Sequence, residues 1–420
     1  MSENVQKTLR DSAALRWLAL ILLAGAMFCS YIFMDILSPI KDLMWDTKGW
    51  DSTAFGTMQG SETFLNVFVF FLIFAGIILD KMGVRFTAIL SGAVMLVGAT
   101  INWYALTDMF AGSNLEVWFN EHLNYIPGFD ELGVSPFYKG MPASAKFSAI
   151  GFMIFGCGVE MAGITVSRGI VKWFKGREMA LAMGSEMALA RLGVATCMIF
   201  SPMFARLGGE VSVSRSVAFG VVLLMIALIM FIVYAFMDKK LDSQTGEAEE
   251  KDDPFKLSDL GKILTDSGFW LVALLCVLYY SAIFPFQKYA VNMLQCNLVF
   301  HQVDPSSIWA SNTITIIQYV IMLVVAACAF ASNFSKNKVA KYGLMGAAIV
   351  ALVVFCYMGY MRQSAETVFA VFPLLAVGIT PILGNYVDHK GKAATMLVLG
   401  SLLLIACHLT FAFVLPAFKG

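Results

Sequence analysis

Charge is what this sequence has least of. Asp, Glu, Lys and Arg make up 14% of its 420 residues, where a soluble domain carries about 25%. The few charges cancel, 29 acidic against 29 basic, so no basic surface for nucleic acid is expected. The eight cysteines form no CxxC pair and no zinc spacing. They read as small packing residues rather than a redox or metal framework. Cofactor and hydrolase motifs are missing too. The "GCG" at 156–158 lies inside an apolar run instead of after a strand, which is the wrong context for a dinucleotide site. No nucleophile–base pair appears, so an enzyme is not expected, and neither is a cofactor. The first apolar run, Leu15 to Ile40, is too long for a signal-peptide core and lacks a small-residue cleavage site.

Apolar side chains, by contrast, fill 59% of the chain, and its mean hydropathy is +0.75. Stretches of about 20 apolar residues recur throughout, each enough to cross a bilayer as a helix. Spans are predicted near 15–39, 62–80, 86–106, 147–169, 179–203 and 215–237. After a polar segment at 238–266 containing "GEAEEKDDP", five more lie near 267–297, 308–331, 342–361, 366–387 and 393–415. With simple alternation, Lys7, Arg10, Arg16, Lys81, Arg85, Lys172, Lys175, Arg177, Lys239, Lys240, Lys336, Lys338, Lys341, Lys390 and Lys392 all fall on one side. That side is cytoplasmic by the positive-inside rule. The N-terminus and the linker are then inside, and the long 107–146 loop is outside.

Two short loops repeat. "GIILDKMGVR" carries Gly76, Asp80, Lys81, Gly83 and Arg85; "GNYVDHKGK" carries Gly384, Asp388, Gly391 and Lys392. Both read G-x3-D-[KH]-x-G followed by a basic residue, and repeats in matching halves are typical of transporters. The loops resemble the loop signature of the major facilitator superfamily, which implies a role at a cytoplasmic gate. The stretches "FGCGVEMAG", "VKWFKGRE" and "MALARLG" within 151–193, with "SYIFMD" at 30–35 and "YYSAIFPF" at 279–286, are similar to its lysosomal dipeptide-transporter branch and bacterial relatives. The resemblance covers most of the chain up to Phe286 plus the second loop. It implies twelve core helices and dipeptide substrates.

The expected fold is therefore an all-α integral membrane protein of major-facilitator type. An N-terminal six-helix bundle covers 1–238, a charged cytoplasmic linker 239–266, and a C-terminal bundle 267–420. The second loop arrives two spans late, so 308–361 reads as an inserted helical hairpin. The chain also stops at Gly420, three core helices short of the pattern.

An ionisable group inside a span costs about 3 kcal/mol or more and should face a cavity or a partner. Glu160 precedes Arg168, a residue expected at the cytoplasmic edge, by eight positions and so lies about 12 Å deep. Arg191 follows Glu178 by thirteen and lies about 20 Å from that edge. Gly156 and Gly163 share the Glu160 face; Gly184 and Ala188 share the Arg191 face. Such small residues permit close helix approach or leave room for a ligand. Two readings stand open: Arg191 and Glu160 grip the carboxylate and ammonium of a zwitterion, or they form a salt bridge between the fourth and fifth spans. The family resemblance implies the first, assigning these positions to the peptide termini. Glu186 is a candidate proton site, because burial disfavours a charged carboxylate; a wet vestibule is the alternative. Asp35 and Lys288 each lie about 27 Å from the cytoplasmic edge on the first and seventh spans. With Tyr31, Tyr279 and Tyr280 they make a candidate substrate and outer-gate group, against separate snorkelling of each charge. Phe152 occupies the position where the superfamily often has an Arg, which argues for uniport or for coupling through other acids. "FVFFLIF" at 68–74 reads as packing, Trp173 as an interface residue, and His408 as a satisfied bundle residue.

The leading expectation is a transporter of dipeptides or similar small zwitterions by alternating access. Organic-anion transport, or a non-transporting sensor or assembly subunit, are the alternatives. The partners expected are the substrate, the bilayer and an accessory membrane protein, with the chain itself a monomer. No acidic-dileucine signal is present, and the one sequon, Asn333-Phe334-Ser335, falls on the cytoplasmic side. A bacterial inner membrane is therefore expected.

Overall fold

The computed structural model of the chain describes residues 8–245, 257–335 and 337–418, leaving out the side chains of 180, 245, 257–260, 333, 334, 381, 382, 384–389, 393 and 418. "GEAEEKDDP" lies outside the described residues. The elements are α1 (Ala13–Met34), α2 (Lys41–Lys48), α3 (Ser52–Gly60), α4 (Phe64–Phe68), α5 (Phe71–Ala105), α6 (Asn114–His122), α7 (Ala143–Phe174) and α8 (Met179–Ala205). They continue with α9 (Val213–Thr245), α10 (Leu257–Thr265), α11 (Ser267–Asn297), α12 (Asn312–Phe334), α13 (Lys338–Met361), α14 (Ala365–Lys390) and α15 (Ala393–Leu409). No strand occurs among the described residues. In a bilayer each backbone group must be satisfied within the chain, and helices achieve that locally. Side chains start several of them: Asp51 accepts from the Ala54 amide at 2.6 Å, Asp266 from Gly268 at 3.0 Å, and Asn337 from Val339 at 2.9 Å.

Among the described residues, nine helical stretches are long and apolar enough to cross a membrane, and α14 adds the shorter Ala365–Thr380. The stretch α5 contains two of the eleven expected spans. It is interrupted at Gly83, whose backbone (φ +79°, ψ 170°) is non-helical and suits a residue without Cβ. The chain reverses there. Glu62 and Met95, on opposite sides of Gly83, approach α7 at Gly156 and Gly158, two residues apart. Gly391, the equivalent glycine of the second loop, also has a positive φ of 64°.

The predicted span 62–80 differs from the structure in two ways. Helix begins ten residues earlier, at Ser52, passes through a 3-10 turn at Ser61–Thr63, and breaks at Phe70. Phe70 adopts a left-handed φ of 57° inside the "FVFFLIF" run read as simple packing. The early start had no apolar signal because "STAFGTMQGSE" is polar, yet Gln59, Ser61 and Glu62 are buried. Ser61 donates to its own helix at Met58 and to the Ala149 carbonyl of α7 at 3.0 Å.

The residues group into two compact units, Met1–Gly193 with Phe204–Pro254, and Val194–Met203 with Phe255–Gly420. The expected N-terminal bundle ran unbroken to 238; residues 194–203 instead group with the second unit. Within that unit Thr196 donates to the Tyr319 hydroxyl at 3.4 Å and Phe200 meets the Tyr319 ring at 4.6 Å. Helix α9 runs to Thr245 and α10 occupies Leu257–Thr265, so both ends of the expected linker are helical.

Helix α7 organises the first unit. Its glycines let neighbouring backbones close in: Gly151 fits against Gly98 and Asn102 of α5, Gly158 against Met95, and Gly156 against the Glu62 carbonyl. Phe33 of α1 meets Phe155 at 4.8 Å. Lys146, expected in the outer loop, lies in the first turns of α7 and is 1% exposed. Its ammonium donates to the Phe119 carbonyl and to Asn124, both at 3.1 Å, and so pins the 107–146 segment to the helix.

Candidate functional site

Two sets of charges sit on the helices of the first unit, and they are treated differently. The first set gathers at the Arg168 end of α7. Arg168 pairs with Asp80 at 2.6 Å. Lys172 pairs with Asp238 at 2.8 Å and Asp242 at 2.7 Å, both on α9. Arg85 joins the same two acids. Asp238 is completely buried and also accepts from Trp173 Nε1 at 3.0 Å and Tyr234 at 3.4 Å. Trp173, read as an interface residue, is fully buried in this cluster. The loop residues Asp80 and Arg85 are thus fastened to α7 and α9. Lys81 is exposed, and Gly76 has open space beside it. In the second loop, the side chains of Gly384 and Asp388 fall outside the described residues; Lys392 is exposed.

The second set lies in the middle of the spans. Leu23 approaches Gly169 while Phe33 meets Phe155, so α1 and α7 run antiparallel and Glu160 falls level with about Cys29. Gly193 of α8 fits against the Phe28 carbonyl and lies beside Tyr31, which puts Arg191 level with about Ala26. Glu160 and Arg191 therefore differ in depth by only about 5 Å. Both are half-buried. No hydrogen bond or ion pair to either is present among the described residues. The salt bridge of the alternative reading, between the fourth and fifth spans, is not formed among the described residues. The expected glycine stripe also divides: Gly156 is filled by the Glu62 backbone, while Gly163 and Gly184 open onto space.

Glu186 is buried and turned about 140° around α8 from Arg191. Asp35 ends α1 and is fully buried, so snorkelling to an interface does not describe it. Lys288 belongs to the second unit, on α11, and is half-buried. Tyr279, grouped with the substrate residues, donates to the Leu397 carbonyl at 2.7 Å and meets Ser401 at 2.8 Å, binding α11 to α15. Tyr280 is exposed and stacks on Phe284 at 5.1 Å. Phe152 is buried and stacks on Phe155 at 5.6 Å. Glu62 is a buried acid that sequence reasoning missed, because it stood at the edge of a predicted span.

A family model described as Major Facilitator Superfamily matches residues 23–365. The chain belongs to the Major Facilitator Superfamily. The match runs through 308–361, the segment read as an inserted hairpin. This superfamily member is similar to the lysosomal dipeptide transporter MFSD1 of Gallus gallus, 29% identical over 145 residues, which is 33% of this chain and 32% of that protein. It is also similar to MFSD1 of Homo sapiens, 24% identical over 280 residues, 64% and 52% of the two chains. The chain thus spans about half, or less, of the length of these relatives. A bacterial homologue of the human drug peptide transporters PepT1 and PepT2 superposes with a TM-score of 0.45 and 13% identity, over 93% of this chain and 99% of that one. The xylose transporter XylE from E. coli gives 0.42 and 10%, over 89% and 98%.

Proposed function

We propose that this superfamily member moves dipeptides or similar small zwitterions across a bacterial inner membrane by alternating access, with its N-terminus cytoplasmic. The observation that carries the proposal is the state of Glu160 and Arg191. They are opposite charges at nearly one depth, flanking α1, and neither makes an ion pair among the described residues, although Arg191 acts electrostatically on Glu186. Unpaired charges in a span are costly unless they serve a ligand or a water-filled space. A zwitterion supplies both missing partners: its carboxylate fits the guanidinium fork of Arg191, and its ammonium fits Glu160. The open faces at Gly163 and Gly184 leave room beside them. The names of the MFSD1 relatives support the dipeptide class. Asp35 and Lys288 are each proposed as outer-gate residues, and Glu186 as a proton site.

A dipeptide library tested by thermal stabilisation of the purified chain checks this. A dipeptide is expected to raise the melting temperature of wild type, and Glu160→Gln and Arg191→Lys are expected to abolish the rise. Stabilisation by monoanions that survives Glu160→Gln would replace the zwitterion with an organic anion. No stabilisation by any dipeptide would overturn the proposal.

A further inference from the structure

Asn66 is a polar side chain that the site above does not use. Its side-chain oxygen and nitrogen are both shut off from solvent, and neither has a hydrogen-bond partner among the described residues. An amide carries an acceptor and two donors. Leaving them unmade away from water is a larger penalty than a typical hydrogen bond is a gain, and an apolar residue would avoid it. Asn66 stands in α4, between a 3-10 turn at Ser61–Thr63 and Phe70, whose left-handed φ of 57° is uncommon for a bulky side chain. Two local rules are broken within a short stretch of chain, and such departures gather at functional sites.

The packing of this stretch on α7 places the amide. Trp50 Nε1 donates to Ser144 at 2.9 Å, Ser61 donates to the Ala149 carbonyl at 3.0 Å, and Asp80 pairs with Arg168 at 2.6 Å. Residues 50–80 therefore run alongside α7 in the same direction, and Glu62 packs directly on Gly156. One turn on from that contact stand Asn66 on α4 and Glu160 on α7. Each is about 6 Å nearer the Arg168 end, on the side of its helix that meets the other. Phe64 and Phe68 turn the opposite way, to Phe129 at 5.2 and 5.3 Å. The amide and the carboxylate thus share a depth without bonding each other. Gly163, almost one turn beyond Glu160, opens onto space.

Resting on the Glu160–Arg191 reading above, we propose that Asn66 is a third substrate-binding residue, its amide taking the ammonium end of the zwitterion together with Glu160. The arrangement selects an amino group next to a carbonyl. One N–H of the ammonium donates to a Glu160 oxygen and another to Asn66 Oδ1, while Asn66 Nδ2 donates to the first carbonyl oxygen of the dipeptide. The unmade bonds of the amide are then made, and Arg191 holds the carboxylate at the far end. Helix α4 is short and bounded by the 3-10 turn and the Phe70 break. It turns without dragging α3 or α5, and so presents the amide to the space at Gly163. No substrate side chain enters these contacts, so they act on the backbone of any dipeptide with a free amino group.

The test is calorimetric binding to the purified chain of alanylalanine and of propanoylalanine, the same molecule without its amino group. Wild type is expected to bind alanylalanine about 10-fold or more tightly than propanoylalanine. Asn66→Leu is expected to weaken alanylalanine about 10-fold and propanoylalanine by less than about 3-fold, whereas Arg191→Lys weakens both. If Asn66→Leu binds both probes as wild type does, the role of Asn66 is overturned and the Glu160–Arg191 reading stands. If wild type binds alanylalanine no better than propanoylalanine, or not at all, both are overturned. The ligand-free melting temperature of Asn66→Leu is expected to hold or rise, because the amide has no partner to lose. A fall of about 5 °C or more would make the amide part of the frame and overturn the proposal. Asn66→Ala, which adds no bulk, must show the same loss of preference for the amino group.

Discussion

At one end of α7, Lys172 has two carboxylates within 2.8 Å and Asp238 has partners on three sides. Three turns back along the same helix, Glu160 has none. Both regions place charge where water is scarce. At the helix ends, the charges satisfy each other and hold α5, α7 and α9 together. In mid-span, Glu160 and Arg191 stand at similar depth without meeting. A buried charge that is paired is part of the frame; one left unpaired is held for something else. The contrast predicts opposite responses to neutralisation.

The largest effect is expected at Asp238. Replacing it with Ala leaves Tyr234 and Trp173 without their acceptor and gives Lys172 and Arg85 one acid to share. Breaking a buried ionic cluster by removing one member costs about 3–5 kcal/mol. The measurement is the denaturation midpoint of purified protein, and an unchanged midpoint would show that the cluster is ornamental. Glu160→Gln and Arg191→Lys should do the reverse. Stability without ligand should hold in Arg191→Lys, which keeps its charge, and hold or rise in Glu160→Gln, which removes one. Dipeptide affinity should fall by about 10- to 100-fold, the worth of a charge-assisted hydrogen bond. Loss of stability in both variants would move the pair from the ligand site to the frame.

The glycines of α7 sharpen the contrast at smaller scale. A Cβ at Gly156 would meet the Glu62 backbone, which has no rotamer to move, so Gly156→Ala is expected to cost about 1–3 kcal/mol. Gly163 has open space, and Gly163→Ala should leave stability within about 0.5 kcal/mol. Its effect should appear in dipeptide affinity instead. Equal stability losses in the two variants would remove the argument that Gly163 opens onto a ligand space.

The same contrast explains what was legible beforehand. Glu160, Arg191 and Glu186 stand out because a lone charge interrupts an apolar run, and span depth follows from counting residues. The nine long apolar helices among the described residues were readable for the same reason. The partners were not. Asp80 and Arg85 announce a turn, but that they meet Arg168 and Asp242 depends on how distant helices pack, which no local pattern carries. Asp238 and Asp242 looked like the start of a linker because acids normally end a span; here α9 continues through them as their charge is neutralised by α5 and α7. Glu62 was hidden by polar neighbours that lowered the hydropathy of a helix buried all the same. The break at Phe70 has neither Gly nor Pro to signal it.

The smallest effect is expected where the N-terminal segment and the first turn of α1 meet the α7–α8 turn: Arg177 reaches Asp11 at 2.6 Å and Arg16 reaches Glu178 at 3.4 Å. The Leu9 amide donates to Gln244 at 2.9 Å, completing a strap from the N-terminal segment to the α7–α8 turn and α9. Bonds from the Thr8 backbone and hydroxyl and from Arg177 hold the Asp11 carboxyl below its ordinary value of 3.8. For a lowered carboxyl, the stabilisation is fully present above the ordinary value and disappears as pH falls through the lower, folded one. Asp11 is open to solvent, so the effect is local and screened by salt. Exchange protection of the amides at 8–12, taken relative to the intrinsic rate at each pH, should be present at neutral pH and fall as the solution is taken below 3.8, while Asp11→Asn should show little protection at any pH. An exchange rate in wild type that matches Asp11→Asn already at neutral pH would mean the strap is not held by its charges, and pairing at the helix ends would then matter only where it is buried.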